Sequence, residues 1–153
     1  MNYYNGLKKE LIDNKITKWV KDHSINKSNL NTYYNVGKML FELSKDSKEE
    51  KIKEYSNKLT NDLGKGYSVT NLKRMIRFYL LIDKGVILSY QLSWNHYIEL
   101  IPIKNIDEIN YYITISIKNN LSYKELRQKI KSNEYERLDK EIRNKIIDDN
   151  IKH

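Results

Sequence analysis

The chain contains no cysteine among its 153 residues, which excludes disulfide staples and thiolate metal sites. Proline occurs once, at Pro102, and glycine only five times. So few turn formers argue against a strand-rich domain of this size and for helices. No stretch approaches the ~20 uninterrupted apolar residues of a membrane span. The longest apolar runs, Phe78-Tyr79-Leu80-Leu81-Ile82 and Val86-Ile87-Leu88, fit core segments. The start, Met1-Asn2-Tyr3-Tyr4-Asn5-Gly6, lacks the apolar run of a secretory signal. These absences lead us to expect a cytoplasmic protein with no membrane partner.

What is present is charge. The formal net charge is +8 and the isoelectric point about 9.4. Such a balance favours polyanionic partners: DNA, RNA or an acidic protein. A genome rich in AT-coded Lys, Asn, Ile and Tyr would produce the same balance without selecting for nucleic acid. The distribution narrows the choice. Residues 65–104 carry six Lys or Arg against two acids, and 118–131 carry five against one. The excess therefore sits on helical segments rather than in a tail.

Apolar periodicity predicts a helix over 7–20 on Leu7, Leu11, Ile12, Ile16, Trp19 and Val20. A polar linker over 22–27 precedes a second helix, 29–44, in which Gly37 marks a close helix–helix approach. A third helix, 48–63, stops at Gly64-Lys65-Gly66. Ser68 caps a fourth, which ends at Asp83-Lys84-Gly85. The piece 86–92 reads as a short β-hairpin or a turn. Ser93 caps a fifth helix, stopped by Pro102, and a sixth spans 107–117. Ser122 with Glu125 three residues on forms a capping box for the next. A charged last helix covers 133–147. The expected fold is all-α: a helix–turn–helix or winged-helix-like bundle of seven to eight helices. Its expected divisions are an N-terminal helix and linker (1–28), a core domain (29–131) and a charged C-terminal helix (132–153).

The third and fourth helices with their glycine turn have the parts of a helix–turn–helix. Leu72, Met75, Ile76 and Tyr79 make a buried stripe, leaving Thr70, Asn71, Lys73, Arg74 and Arg77 for a groove. Arg and Asn can read guanine and adenine edges bidentately, and Lys65 and Lys73 suit phosphates. Solvated basic residues opposite a core face are the bland alternative. Gly64-Lys65-Gly66-Tyr67-Ser68 departs from the Walker pattern and reads as a turn. Tyr33, Tyr55, Tyr79 and Tyr112 fall on apolar faces and read as core. Tyr67 and Tyr90, in turns, are the better candidates for base stacking. His23, His96 and His153 lack metal-ligand spacing. For His96, packing beside aromatics outweighs general-base chemistry. No metal or cofactor is expected.

Four blocks in order carry a family resemblance. They are Tyr33-Tyr34-Asn35-Val36-Gly37-Lys38, the stretch from Asp62 to Met75, Gln91-Leu92-Ser93-Trp94-Asn95-His96-Tyr97-Ile98-Glu99-Leu100, and Leu121 to Ile130 followed by Tyr135-Glu136-Arg137-Leu138. Over about residues 30 to 140 the chain resembles the N-terminal domain of the bacterial YhcG-type family of PD-(D/E)xK nucleases. The resemblance implies a winged-helix-like or helix–turn–helix domain that binds DNA ahead of a nuclease domain. Two departures matter. Only 15 residues follow Leu138, and no acid-x-Lys constellation is evident on strands; Glu49-Glu50-Lys51 matches formally but lies on a predicted helix. Ile76 stands where family members often carry a basic residue.

The expectation is thus a binding module and not an enzyme. Asn71, Lys73, Arg74 and Arg77 would face the major groove of DNA, with Lys124, Arg127 and Lys129 adding backbone contacts; RNA is the second target. The alternatives are an interaction protein that binds a nuclease or other effector, and a fragment of a full nuclease. The apolar face of the first helix, with Trp19, would close the domain or form a homodimer interface.

Overall fold

Three serines and an asparagine set four of the helix starts. The Ser68 hydroxyl accepts from the Asn71 N–H, and Ser93 and Ser122 each anchor a capping box. Asn105 accepts from the N–H groups of Asp107 and Glu108. Gly64, Gly66 and Gly85 take positive φ (94°, 110° and 112°), which an L side chain rarely adopts, and so sharply end the helices that precede them.

The computed structural model describes residues 3–43 and 48–151. Among these it has α1 (Tyr3–Leu43), α2 (Lys48–Leu63), α3 (Val69–Asp83), α4 (Trp94–Leu100), α5 (Ile106–Lys118), α6 (Tyr123–Lys131), α7 (Glu134–Arg137) and α8 (Lys140–Ile151), and no strand. The all-α expectation holds. Met1, Asn2, residue 44 at the end of the expected second helix and His153 lie outside the described residues.

Three expectations are corrected. The linker over 22–27 does not exist: α1 runs unbroken for 41 residues. Asp22, Ser24 and Asn26 are weak helix formers, but no Gly or Pro interrupts them and propagation costs little once a helix is nucleated. Asn26 also anchors the segment, donating to the carbonyls of Tyr90 (2.9 Å) and Leu92 (2.8 Å).

The hairpin near 86–92 is absent too, so no β wing is found among the described residues. The segment is irregular and ends in a turn at 90–91, and side chains take the place of a partner strand. The Tyr97 hydroxyl accepts from the Ser89 N–H (2.8 Å) and donates to the Ile87 carbonyl (2.9 Å). Asn110, buried on α5, accepts from the Ile87 N–H (2.9 Å) and donates to the Gly85 carbonyl (3.1 Å). Backbone groups satisfied this way gain nothing from a hairpin.

Third, the single helix over 133–147 is divided. Asn133 is left-handed (φ 54°, ψ 41°) and Leu138 extended (ψ 148°), so α7 is one short turn before α8. Asp139 accepts from the Glu141 N–H and restarts the helix.

The core has two parts joined by α3. Phe78 and Leu81 belong to the larger, with Tyr97, Leu100, Ile109, Tyr112, Ile113 and Leu126. Leu72, Met75 and Ile76 belong to the smaller, with Leu40 and Ile52. The α5 helix is buried on all sides from Ile109 to Ser116, as a central helix must be. The principal partner of α3 is α1, with α2 second. Gly37 is where α1 and α3 meet. A Cβ there would fall on the Met75 carbonyl oxygen and 2.6 Å from its carbon, so the close approach expected at this glycine is present.

Candidate nucleic-acid interface

Of α3, only one narrow face stays open. Thr70, Lys73, Arg74 and Arg77 occupy positions i, i+3, i+4 and i+7 and so share that face. With Ile101, Pro102 and Lys104 they line an open concavity of about 770 Å³. Pro102 ends α4, and the chain after it carries Lys104 back toward α3. Among the described residues Arg74, Arg77 and Lys104 make no ion pair, and Lys73 pairs with Glu49 at 3.0 Å. That pair is largely exposed and adds little stability. Lys73 and Arg77 also border a second hollow, of about 350 Å³, with Glu49, Ile76 and Leu80. Arg74 and Arg77 are half-buried. The cations therefore line a shallow, open hollow.

The remaining candidates are placed elsewhere. Asn71 turns inward: its amide donates to the Gly66 carbonyl (2.6 Å) and accepts from the Trp94 indole (3.4 Å). It closes the turn and is not free to read a base. Lys65 is exposed in the glycine turn, outside the concavity. Tyr67 packs on the smaller core. Tyr90 donates to Asn31 (2.7 Å), with Lys27 over its ring at 5.3 Å. Neither tyrosine stands free for stacking. On α6, Arg127 donates to Glu99 through Nε (2.9 Å) and Nη2 (2.6 Å), and Lys129 lies 3.2 Å from Glu134. Lys124 alone of that trio is exposed without an ion pair among the described residues. No α6 residue lines the concavity.

His96 is a structural residue. Its Nδ1 accepts from the Ser93 N–H (3.1 Å) and its Nε2 lies 2.8 Å from the Leu121 carbonyl. A carbonyl only accepts, so Nε2 carries the proton. The ring ties the start of α4 to the chain entering α6. Glu49 lies exposed in the first turn of α2, and Ile76 is buried. Both placements agree with reading the first as surface charge and the second as no contact for DNA.

The blocks that carried the resemblance prove largely architectural: Gly37 at the helix crossing, Ser93, His96 and Tyr97 as caps and braces, Tyr135 donating its N–H to the Tyr112 hydroxyl. The DUF1016 N-terminal domain model matches residues 9–137. The chain belongs to this family. It is the N-terminal domain of the YhcG-type proteins, as the four blocks indicated. No curated protein and no solved structure matched the chain. Sequence reading missed Lys104. It lay in a segment counted as basic, but only the fold brings it to α3.

Proposed function

We propose that this DUF1016 N-terminal domain holds the phosphate backbone of a nucleic acid, duplex DNA first, in the concavity between α3 and the 101–104 segment. The observation that carries this reading is the convergence of Lys73, Arg74, Arg77 and Lys104 on one open surface, with Thr70 as a neutral donor beside them. Arginine forks suit phosphate oxygens, and a recess suits a backbone better than it suits a groove floor. With Asn71 engaged in its turn, base readout is weak, so contacts position the duplex without specifying its sequence. Insertion of α3 into the major groove is disfavoured for the same reason.

The test is fluorescence anisotropy with a labelled random-sequence duplex, the matching single strand and a structured RNA. Wild type is compared with Arg74→Ala/Arg77→Ala and with Lys124→Ala. The reading expects duplex binding that the double variant weakens at least tenfold and that Lys124→Ala leaves near wild type. Binding that is equal in all three proteins would sink it.

A further inference from the structure

We propose that the N-terminal half of α1 pairs antiparallel with the same segment of a second copy. The body of the domain engages α1 from Asn26 onward; upstream, an apolar face stands in solvent, its members 45% (Ile12) to 67% (Tyr4) exposed. This face is continuous with the stripe that packs on α3, since Trp19 and Gly37, or Ile12 and Leu30, are 18 residues apart, five whole turns. Tyr4, Leu11, Ile12, Ile16 and Trp19 fall within about 140° of arc centred near the Gly37 direction, and at on the order of 100 Å² each they offer roughly 1,000 Å² for a pair of helices, the lower end for a specific interface.

Self-pairing about a two-fold axis demands a self-complementary pattern, and the spacing has one. In an antiparallel pair with its dyad between Asp13 and Asn14, residues whose numbers sum to 27 lie opposite each other. Leu11 and Ile16 of the other copy then share one level and flank the seam from its two sides. Two lysines sit inside this face, Lys8 and Lys15, beside Leu11 and Ile12. They select the register. A dyad between Leu11 and Ile12 would set Lys8 against Lys15, with like charges opposed. The register proposed instead lays Lys8 over the indole of Trp19 and the stem of Lys15 over Ile12. Glu10 and Asp13 lie on the outer face, whereas Asp22, five whole turns from Tyr4, borders the seam, where this register sets it opposite the neutral Asn5.

The absence of cysteine makes the test clean. Mass in solution at tens of micromolar is expected to be twice the 18.4 kDa of one chain. Leu11→Glu/Ile16→Glu, at positions exposed in the single copy, should restore the single mass without altering the fold. A nitroxide on Ser24→Cys, exposed on α1, lies at the level of residue 3 of the other copy. The two labels should therefore be roughly 30 Å apart along the axis. A single mass for the wild type, a double mass that survives the glutamates, or labels closer than about 15 Å would each overturn the proposal.

Discussion

Gly37→Ala is a severe test of the fold, because two large effects oppose each other there. Alanine is the better helix former, by about 1 kcal/mol in a helix interior. On that ground alone the change should stabilise α1. But the new methyl would overlap the Met75 carbonyl oxygen and lie 2.6 Å from its carbon and 3.1 Å from the Ile76 nitrogen. All three are backbone atoms of α3, so no rotamer change relieves the overlap. Reaching ordinary contact distance requires α1 and α3 to part by on the order of 1 Å. That loosens Leu40 against Leu72, Met75 and Ile76 across the smaller core. Overpacking of this kind costs about 3 kcal/mol at the upper end of its usual range, leaving a net loss of about 2 kcal/mol. For a chain of this size the melting temperature should fall by roughly 4–8 °C. Gly6→Ala is the matched control: it is also in α1, with nothing within 4 Å of the new methyl, and it should not lower the midpoint. Thermal and denaturant unfolding by circular dichroism would measure both. If Gly37→Ala melted at or above wild type, the reasoning about this crossing would be wrong.

Other consequences follow from the braces. Tyr97→Phe leaves the Ser89 N–H and the Ile87 carbonyl without their side-chain partner; a loss of about 1–3 kcal/mol in denaturant unfolding is expected. Burial holds that phenol well above its ordinary pKa, so no loss of stability from its ionisation is expected up to pH 10. The Ser122 N–H bound to Glu125 holds its carboxyl below the usual range. A depressed folded pKa means stabilisation present above the unfolded pKa, about 4.3, and lost as pH falls through the folded value. Glu125→Gln should therefore flatten the acid limb of a stability–pH profile, and an unchanged limb would refute the assignment. His96→Ala should lower the melting temperature while leaving duplex binding intact, since its ring bonds are to Ser93 and Leu121.

Much of the architecture was legible because helix ends have local chemistry. Ser68, Ser93 and Ser122 act as the caps their spacing implied, and Gly64 and Gly66 end α2 as expected. Gly37 was legible as an anomaly inside an apolar stripe. Where the signal was only compositional, it misled. Polar residues at 22–27 resembled a linker, yet the helix continued through them and used Asn26 to hold the 90–92 turn. The β-rich piece at 86–89 was kept from pairing by Tyr97 and Asn110, whose roles depend on contacts distant in sequence. The site divides the same way. Helical spacing put Thr70, Lys73, Arg74 and Arg77 on one face, but only the fold could bring Lys104 to them or turn Asn71 inward. Likewise no spacing rule shows that Arg127 and Lys129 answer Glu99 and Glu134.

The salt dependence of duplex binding addresses the central claim most directly. Four cations on the concavity, if each neutralises one phosphate, give a slope of about −3.6 in log K against log salt. That is a loss of roughly 150-fold between 50 and 200 mM. Arg74→Ala/Arg77→Ala should reduce the slope by about two and Lys104→Ala by about one, with little difference between duplex sequences. A slope near zero, or one that the three substitutions leave unchanged, would contradict a phosphate-binding surface built on α3 and Lys104.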